Sequence, residues 1–333
     1  MKIVLIPILL IFILSGCSQK VLITATKPAL VDRASKTKKI AVLKFENDND
    51  ISLESKIESA LYKVEVDDKP YFTVISKDRD NILNEQKFQY SGLANKNNSV
   101  EVGELLGAQA LITGKIDNAD VQKDYYYERR YRCIDIYCYR QQEYFVQCTN
   151  ARYSLKANIS MIDVEKGDVI YTNNYFENTS YRSCLDYGGG LPSKSAVFDY
   201  LSNNIVNEFL PNISPTEEKY YIKIFEDPQI KYTKEQEVLL KNGLEYLKHN
   251  HLDRAEEIFS QLLNSTNDRC YLAAYNLGVI KESKGEYQNA KELYTLSDKL
   301  IEKPDKAIIE SINRINTQIT NHKKLEEQIN IKK

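Results

Sequence analysis

Tryptophan is absent from these 333 residues, histidine occurs three times, and neither sign of charge dominates. The histidines are His249, His251 and His322, so everything before His249 lacks an imidazole. That removes Ser–His and Cys–His nucleophile pairs and histidine metal sites from most of the chain. His249 and His251 lie two apart with Asp253 as the near carboxylate, and they read as solvated turn residues. With 45 Lys and Arg against 47 Asp and Glu, the formal charge is −2. No basic excess exists to hold a phosphate backbone, which excludes general nucleic-acid binding. Gly188-Gly189-Gly190 lacks the Lys-Ser/Thr that a phosphate-cradling loop needs. No catalytic, cofactor-binding or metal-ligating set is therefore expected. The apolar run at residues 3–14 is too short for a spanning helix, which needs roughly 17–25 residues. It suits the core of an export leader, which needs about 7–15.

That run ends in Leu14-Ser15-Gly16-Cys17, behind the charged start Met1-Lys2. The segment is similar to the lipobox of bacterial lipoproteins. The resemblance implies removal of residues 1–16 and acylation of Cys17, palmitate included. One acyl chain holds only marginally and two or more hold firmly. Ser18, by resemblance to Gram-negative sorting rules, directs the product to the outer membrane. The expected location is the periplasmic face of that membrane, with residues 17–37 as a lipidated tether of little periodicity.

Cysteine usage fits that compartment. Cys133, Cys138, Cys148 and Cys184 fall in one region, and Cys270 stands alone. Four cysteines allow three pairings, and an oxidising periplasm favours disulfides. Two bridges are expected, their connectivity open. The loose spacing, with no histidine nearby, speaks against zinc. Cys270, among Tyr271, Ala273 and Ala274, reads as a buried free thiol.

From Lys38 the pattern is ordered. Residues 38–47 read as a short apolar strand ending in polar residues, 52–66 as a helix with Ile57, Leu61 and Val64 on one face, and 71–75 as a second strand. Helices are expected at 77–87 and 100–106, then a strand at 110–116. Leu155, Ala157, Ile159 and Met161 alternate with Lys156, Asn158 and Ser160, the mark of a half-buried strand. A turn with positive φ at Gly167 would return the chain along 169–176. A helix at 195–210 carries Val197, Leu201, Ile205 and Phe209, with Ser193 or Ser195 as cap and Pro211 as stop. This order predicts an α/β fold, a mixed sheet with flanking helices.

Three segments in this order carry a resemblance: Lys39-Ile40-Ala41-Val42-Leu43-Lys44-Phe45, then Gly107-Ala108-Gln109-Ala110-Leu111-Ile112-Thr113-Gly114, then Met161-Ile162-Asp163-Val164-Glu165-Lys166-Gly167-Asp168. Together they resemble the CsgG family and its periplasmic relatives, a fold of the TolB N-terminal kind. Lys166 and Asp168 depart from the Thr and Glu commonest there. The resemblance covers roughly residues 38–210, and the domain is set at 38–212. Its implied role is structural. Gly107 and Gly114 flank a strand, and Asp163 and Gly167 shape a turn. Such relatives export curli, activate cell-wall synthases or build rings around flagellar motors, so the resemblance implies envelope proteins as partners, further copies of this chain among them.

Within this domain lies a Cys- and Tyr-rich excursion, residues 118–153. Six of the 24 tyrosines fall between Tyr125 and Tyr139. Tyr125, Tyr126, Tyr127, Arg129, Arg130 and Tyr131 form the candidate interaction surface, because Tyr and Arg are enriched at binding hot spots. The family's curli exporters form outer-membrane barrels, which makes an oligomeric secretion channel the rival reading. Consecutive charges at Glu128-Arg129-Arg130 argue against strands that alternate between lipid and lumen.

After a linker at 213–233 the chain is helical and repeats itself. Gly243 and Gly278 are 35 apart, as are Ala255 with Ala290 and Phe259 with Tyr294. Leu277 precedes the second glycine, and Tyr246 corresponds to Lys281. This pattern resembles the tetratricopeptide repeat, whose period is 34. Leu239 and Ala274 stand where that family often has Trp, and Asn242 where it has Leu. An all-α repeat domain is expected at 234–322, its last helix near 308–322, followed by a polar tail at 323–333. Such modules bind peptides or partner helices and carry no chemistry.

Overall fold

Alternation of apolar side chains sets the sheet, and four-residue steps set the helix that covers it. The computed structural model describes residues 19–75, 107–186, 189–227 and 230–329. They fall into two units, Lys27–Thr216 with Lys324–Lys333, and Met1–Thr26 with Glu217–Lys323. Cys17 and the helices expected at 77–87 and 100–106 lie outside the described residues.

The first unit contains a five-stranded mixed sheet in the order β5-β2-β6-β7-β8. Strand β2 (Lys39–Val42) runs parallel to β5 (Thr73–Val74) and to β6 (Ala110–Cys133). Strands β6, β7 (Gln141–Asp163) and β8 (Val169–Cys184) form an antiparallel meander. Leu155, Ala157, Ile159 and Met161 are fully buried, and they share one core with Ile57 and Leu61 of α2 (Leu53–Tyr62) and with Val197, Leu201, Ile205 and Phe209 of α3 (Lys194–Ile213). A short helix α1 (Asp32–Ser35) adds Ala34 to this core. Ser193 caps α3 by accepting from the Ala196 amide. Gly167 adopts φ +64° in the β7–β8 turn. Asp163 closes that turn, its side chain accepting from the Lys166 amide at 3.0 Å. Arg33 pairs with both Asp163 and Asp168, which holds these carboxyls below their ordinary pKa.

Several expectations are corrected. The described part of the expected tether, residues 19–37, is ordered and contains β1 (Lys20–Lys27) and α1. The helix expected to reach residue 66 stops at Tyr62. Residues Glu65–Val66 (β3) instead fold back on Lys69–Pro70 (β4) through the left-handed Asp67 and Asp68. Pro211 does not stop α3, which runs on to Ile213. The carbonyls of Pro211 and Asn212 are satisfied there by the amides of Leu30 and Val31, at 3.0 and 2.9 Å. Gly114 lies inside β6 and does not end it. A Cβ there would stand 2.7 Å from the Asn158 carbonyl and as close to the Phe45 ring, so glycine lets Phe45 lie flat on the strand.

In the second unit β1 pairs with β9 (Thr216–Lys223), so the expected linker also holds a strand. Helices α4 (Lys234–Lys248), α5 (Leu252–Ser265), α6 (Tyr271–Ser283) and α7 (Tyr287–Leu300) follow, then α8 (Lys306–Ile329). The last helix outruns the expected 308–322 and takes up most of the expected tail: Ile308, Ser311, Ile315 and Gln318 are buried along its stretch in the second unit, and its residues from Lys324 on belong to the first. Thr233 and Gln236 form a capping box at the start of α4. Cys270 is buried and free, and its sulfur accepts from the Ala273 amide at the start of α6.

The 35-residue spacing has a physical basis. Gly243 faces the ring of Phe259, and Gly278 faces the ring of Tyr294. A Cβ on either would lie 2.9 or 2.7 Å from the ring. Ala255, Ala290, Phe259, Tyr294 and Leu277 are buried beside them. Tyr246 is the exception, 39% exposed with its ring edge-on to His251. Gly278→Val is expected to cost about 1–3 kcal/mol through overpacking, measured by urea unfolding. No loss would mean that the helices do not need the close approach.

Candidate interaction surface

The excursion is not a loop. Strand β6 leaves β2 after Ile112 and, past a bulge at Ile116–Asn118, continues paired with β7 as far as Cys133–Gln141. Strand β8 accompanies β7 up to Cys184, opposite Cys148. The result is an arm, three-stranded at its base and two-stranded at its end. The sequence folds this way because Tyr, Val, Thr and Phe suit a pleated surface and because residues 110–133 face 141–163 in one register.

Two disulfides brace the arm. Cys148 bonds Cys184 across β7 and β8, and Cys133 bonds Cys138 across the tip. Among the described residues, the acidic and sulfur groups close enough to suggest a metal are Glu128, Cys148 and Cys184. Both sulfurs are committed to one disulfide, which leaves a single ligand and no cation site.

Strand alternation splits the tyrosine–arginine run between two faces. Tyr126 and Arg130 lie on one side. There Tyr126 and Tyr144 pack on Val146 and the Cys148–Cys184 bridge in a small core of their own. Arg130 donates to Glu128 at 2.9 Å, and Arg182 also pairs with Glu128. Tyr125, Tyr127, Arg129 and Tyr131 lie on the other side, opposite Thr149, Gln147, Phe145 and Glu143. This second face continues the face that α2 and α3 bury at the base of the arm. Farther out it is open: Tyr125, Tyr127, Tyr131 and Phe145 are 65, 70, 56 and 61% exposed. Arg129 sits among them, 3.5 Å from Glu143. Tyr131 and Glu143 hold its guanidinium above the ordinary arginine pKa.

The predicted six residues therefore make two surfaces. Four form the exposed aromatic face, and Tyr126 and Arg130 support it from behind. Phe145 was missed, together with Ile136, Tyr137 and Tyr139 of the tip, which are 97, 77 and 86% exposed. Alternation from Tyr125 was a legible signal for the first four. Phe145 becomes legible only once it is placed opposite Arg129. No described helix is long and apolar enough to cross a membrane.

A mixed sheet with flanking helices and a braced β-arm, accompanied by a unit of several packed helices, defines the class. Residues 30–124 match the family described as curli production assembly/transport component CsgG. Among solved structures, the lipoprotein GNA1162 of Neisseria meningitidis is 12% identical, over 51% of this chain and 96% of its own, with a TM-score of 0.24. The C-terminal domain of LpoB from Salmonella enterica is 12% identical over 44% and 92%, with a TM-score of 0.25. A PelC dodecamer from Paraburkholderia phytofirmans is 14% identical over 56% and 95%, with a TM-score of 0.26. Comparison with curated proteins gives no match.

Proposed function

We propose that the chain is a lipoprotein of the outer membrane, anchored through Cys17 at the periplasmic face, that serves an envelope complex as a non-enzymatic assembly or activator protein. The carrying observation is the arm. A disulfide-braced sheet that holds four aromatic rings in solvent is costly to keep unless something covers them, and rigid Tyr and Arg are the residues that dominate hot spots. The CsgG-family match at residues 30–124 agrees with a role in assembly or transport. The helical unit, read as tetratricopeptide-like from its glycine–aromatic pairs, offers a second docking module.

Site-specific photocrosslinking from Tyr127 and Phe145 in intact cells tests this reading. It predicts a discrete adduct with another envelope protein. Tyr127→Ala and Phe145→Ala are each expected to weaken that partner's affinity at least about tenfold. Their melting temperatures should stay near that of the parent chain, because both side chains are exposed. Full retention of binding in the double variant would discard the surface.

One observation favours a second reading, an oligomeric secretion channel. At 24 and 23 residues, β6 and β7 exceed the roughly 9–11 that a strand needs to cross lipid. Charge weighs against it. Arg129 points to one face, Glu128 and Arg130 to the other, and a lipid-facing arginine costs about 2–4 kcal/mol at the midplane. The Cys148–Cys184 bridge also locks β8 to β7 along the arm.

A further inference from the structure

We infer that the helical unit lies directly on the phospholipid surface, held there without a tether by strand β1. The inference rests on the reading of Cys17 as the lipidated residue. It starts from chain length. Gln19 stands two residues after Cys17, and two residues span at most about 7 Å. Val21, Ile23 and Ala25 are 5, 1 and 2% exposed, and they alternate along β1 as a strand packed on one face. Gln19 is tied at both ends of its peptide: its amide donates to Glu226 Oε1 at 2.6 Å, and its carbonyl accepts from the Ile224 amide at 3.2 Å.

The partner strand is pinned in turn. The Asn276 side chain accepts from the Phe225 amide at 2.9 Å and donates to the Phe225 carbonyl at 2.8 Å. Tyr275 donates its hydroxyl to the Lys223 carbonyl at 3.2 Å and stacks on Phe225 with ring centroids 4.1 Å apart. Asn276 and Tyr275 belong to α6, in the middle of the unit. An acyl group on Cys17 would thus lie two residues from a strand that a short row of hydrogen bonds joins to the helical core.

This geometry gives the unit a near end and a far end. The near end holds Gln19, Ile224 and Glu226. Glu226 lines a cavity of about 850 Å³ together with Tyr271, at the start of α6, and Lys303. From Tyr271 the helix runs 13 residues, about 20 Å. Beyond its other end Lys284 donates to Asp253. Lys303 therefore belongs near the headgroups and Asp253 about a helix length away. The ligand is the bilayer surface itself.

The test uses the full lipidated chain in phosphatidylethanolamine–phosphatidylglycerol vesicles doped with a headgroup nitroxide quencher. A fluorophore is placed on Lys303→Cys or on Asp253→Cys, both exposed positions, while Cys270 is buried and does not compete for the label. Quenching is expected to be several-fold stronger at 303 than at 253. Inserting about twenty Gly/Ser residues between Ser18 and Gln19 adds roughly 25 Å of reach and should abolish the difference. Flotation separates the lipid anchor from the surface contact of the helical unit. If the parent chain floats with the vesicles, Cys17→Ala does not, and the two probes quench equally, the surface-bound unit is overturned while the lipid anchor stands. If parent and Cys17→Ala float alike, or neither floats, the anchor reading fails and the inference fails with it.

Discussion

Glu282→Ala is expected to cost the helical unit about 3–5 kcal/mol, the usual loss when a buried ion pair keeps one partner. The Glu282 side chain is wholly inaccessible, and four donors converge on it. Arg314 donates from Nε at 2.8 Å and from Nη2 at 3.0 Å, Tyr220 at 2.9 Å and Tyr294 at 2.6 Å. Alanine would leave the Arg314 guanidinium with the Ser311 hydroxyl at 3.0 Å and without a counter-charge. Two tyrosine hydroxyls would also lose their acceptor inside the core. Burial, together with the carboxylate, pushes Tyr294 and Tyr220 well above the ordinary tyrosine pKa; with Glu282 removed, burial alone still keeps both neutral near neutrality. Glu282→Gln keeps the shape and part of the hydrogen bonding and should lose less. Urea unfolding of the full chain, followed by tyrosine fluorescence, reads the difference. A loss below about 1 kcal/mol for Glu282→Ala would mean that the network is ornamental to stability.

Removing the Cys148–Cys184 bridge is expected to be nearly as severe. The bond closes a separation of 36 residues, and loop-closure entropy puts its contribution at about 4 kcal/mol. The Cys133–Cys138 bridge closes a separation of five, worth about 2 kcal/mol on the same scale. The double variants Cys148→Ser/Cys184→Ser and Cys133→Ser/Cys138→Ser should therefore differ by about a factor of two in stability loss. The first also leaves two hydroxyls among Val146, Tyr126 and Tyr144, which adds to its cost. Hydrogen exchange localises the effect. Amides at the end of β8 should exchange faster in the first variant and remain protected in the second. Equal losses in the two variants would show that the longer bridge does not brace the arm.

The contrast between these two features shows what one chain can reveal by itself. The paired cysteines announced a braced region, and the face of Leu155, Ala157, Ile159 and Met161 announced its strand, because both signals are local. The steps of four from Val197 to Phe209 and the turn at Gly167 were legible for the same reason. Glu282 gave no sign. In Lys281-Glu282-Ser283-Lys284 it looks like any solvated helix residue, and its burial follows from Tyr220 and Arg314, which the sequence keeps far away. Strand β1 was equally silent. Its alternating Val21, Ile23 and Ala25 are visible, but the partner that makes them a strand lies some 190 residues on, in β9. The arm misled in a different way. Read linearly, Glu128-Arg129-Arg130 is a run of charge. On a pleated strand the same residues alternate, and Arg129 joins the tyrosines while Glu128 and Arg130 stay behind. Register across strands decides which side chains meet, and no periodicity within one strand carries that information.

The central claim is that the arm is a docking surface on an anchored protein and not part of a pore wall. Light scattering of the full chain, purified from membranes in mild detergent and corrected for bound detergent, tests it most directly. The account predicts a monomer or dimer. A closed ring of about eight or more subunits that conducts ions in a planar bilayer would contradict it, because strands that line a conducting ring cannot also hold their aromatic face free for a partner.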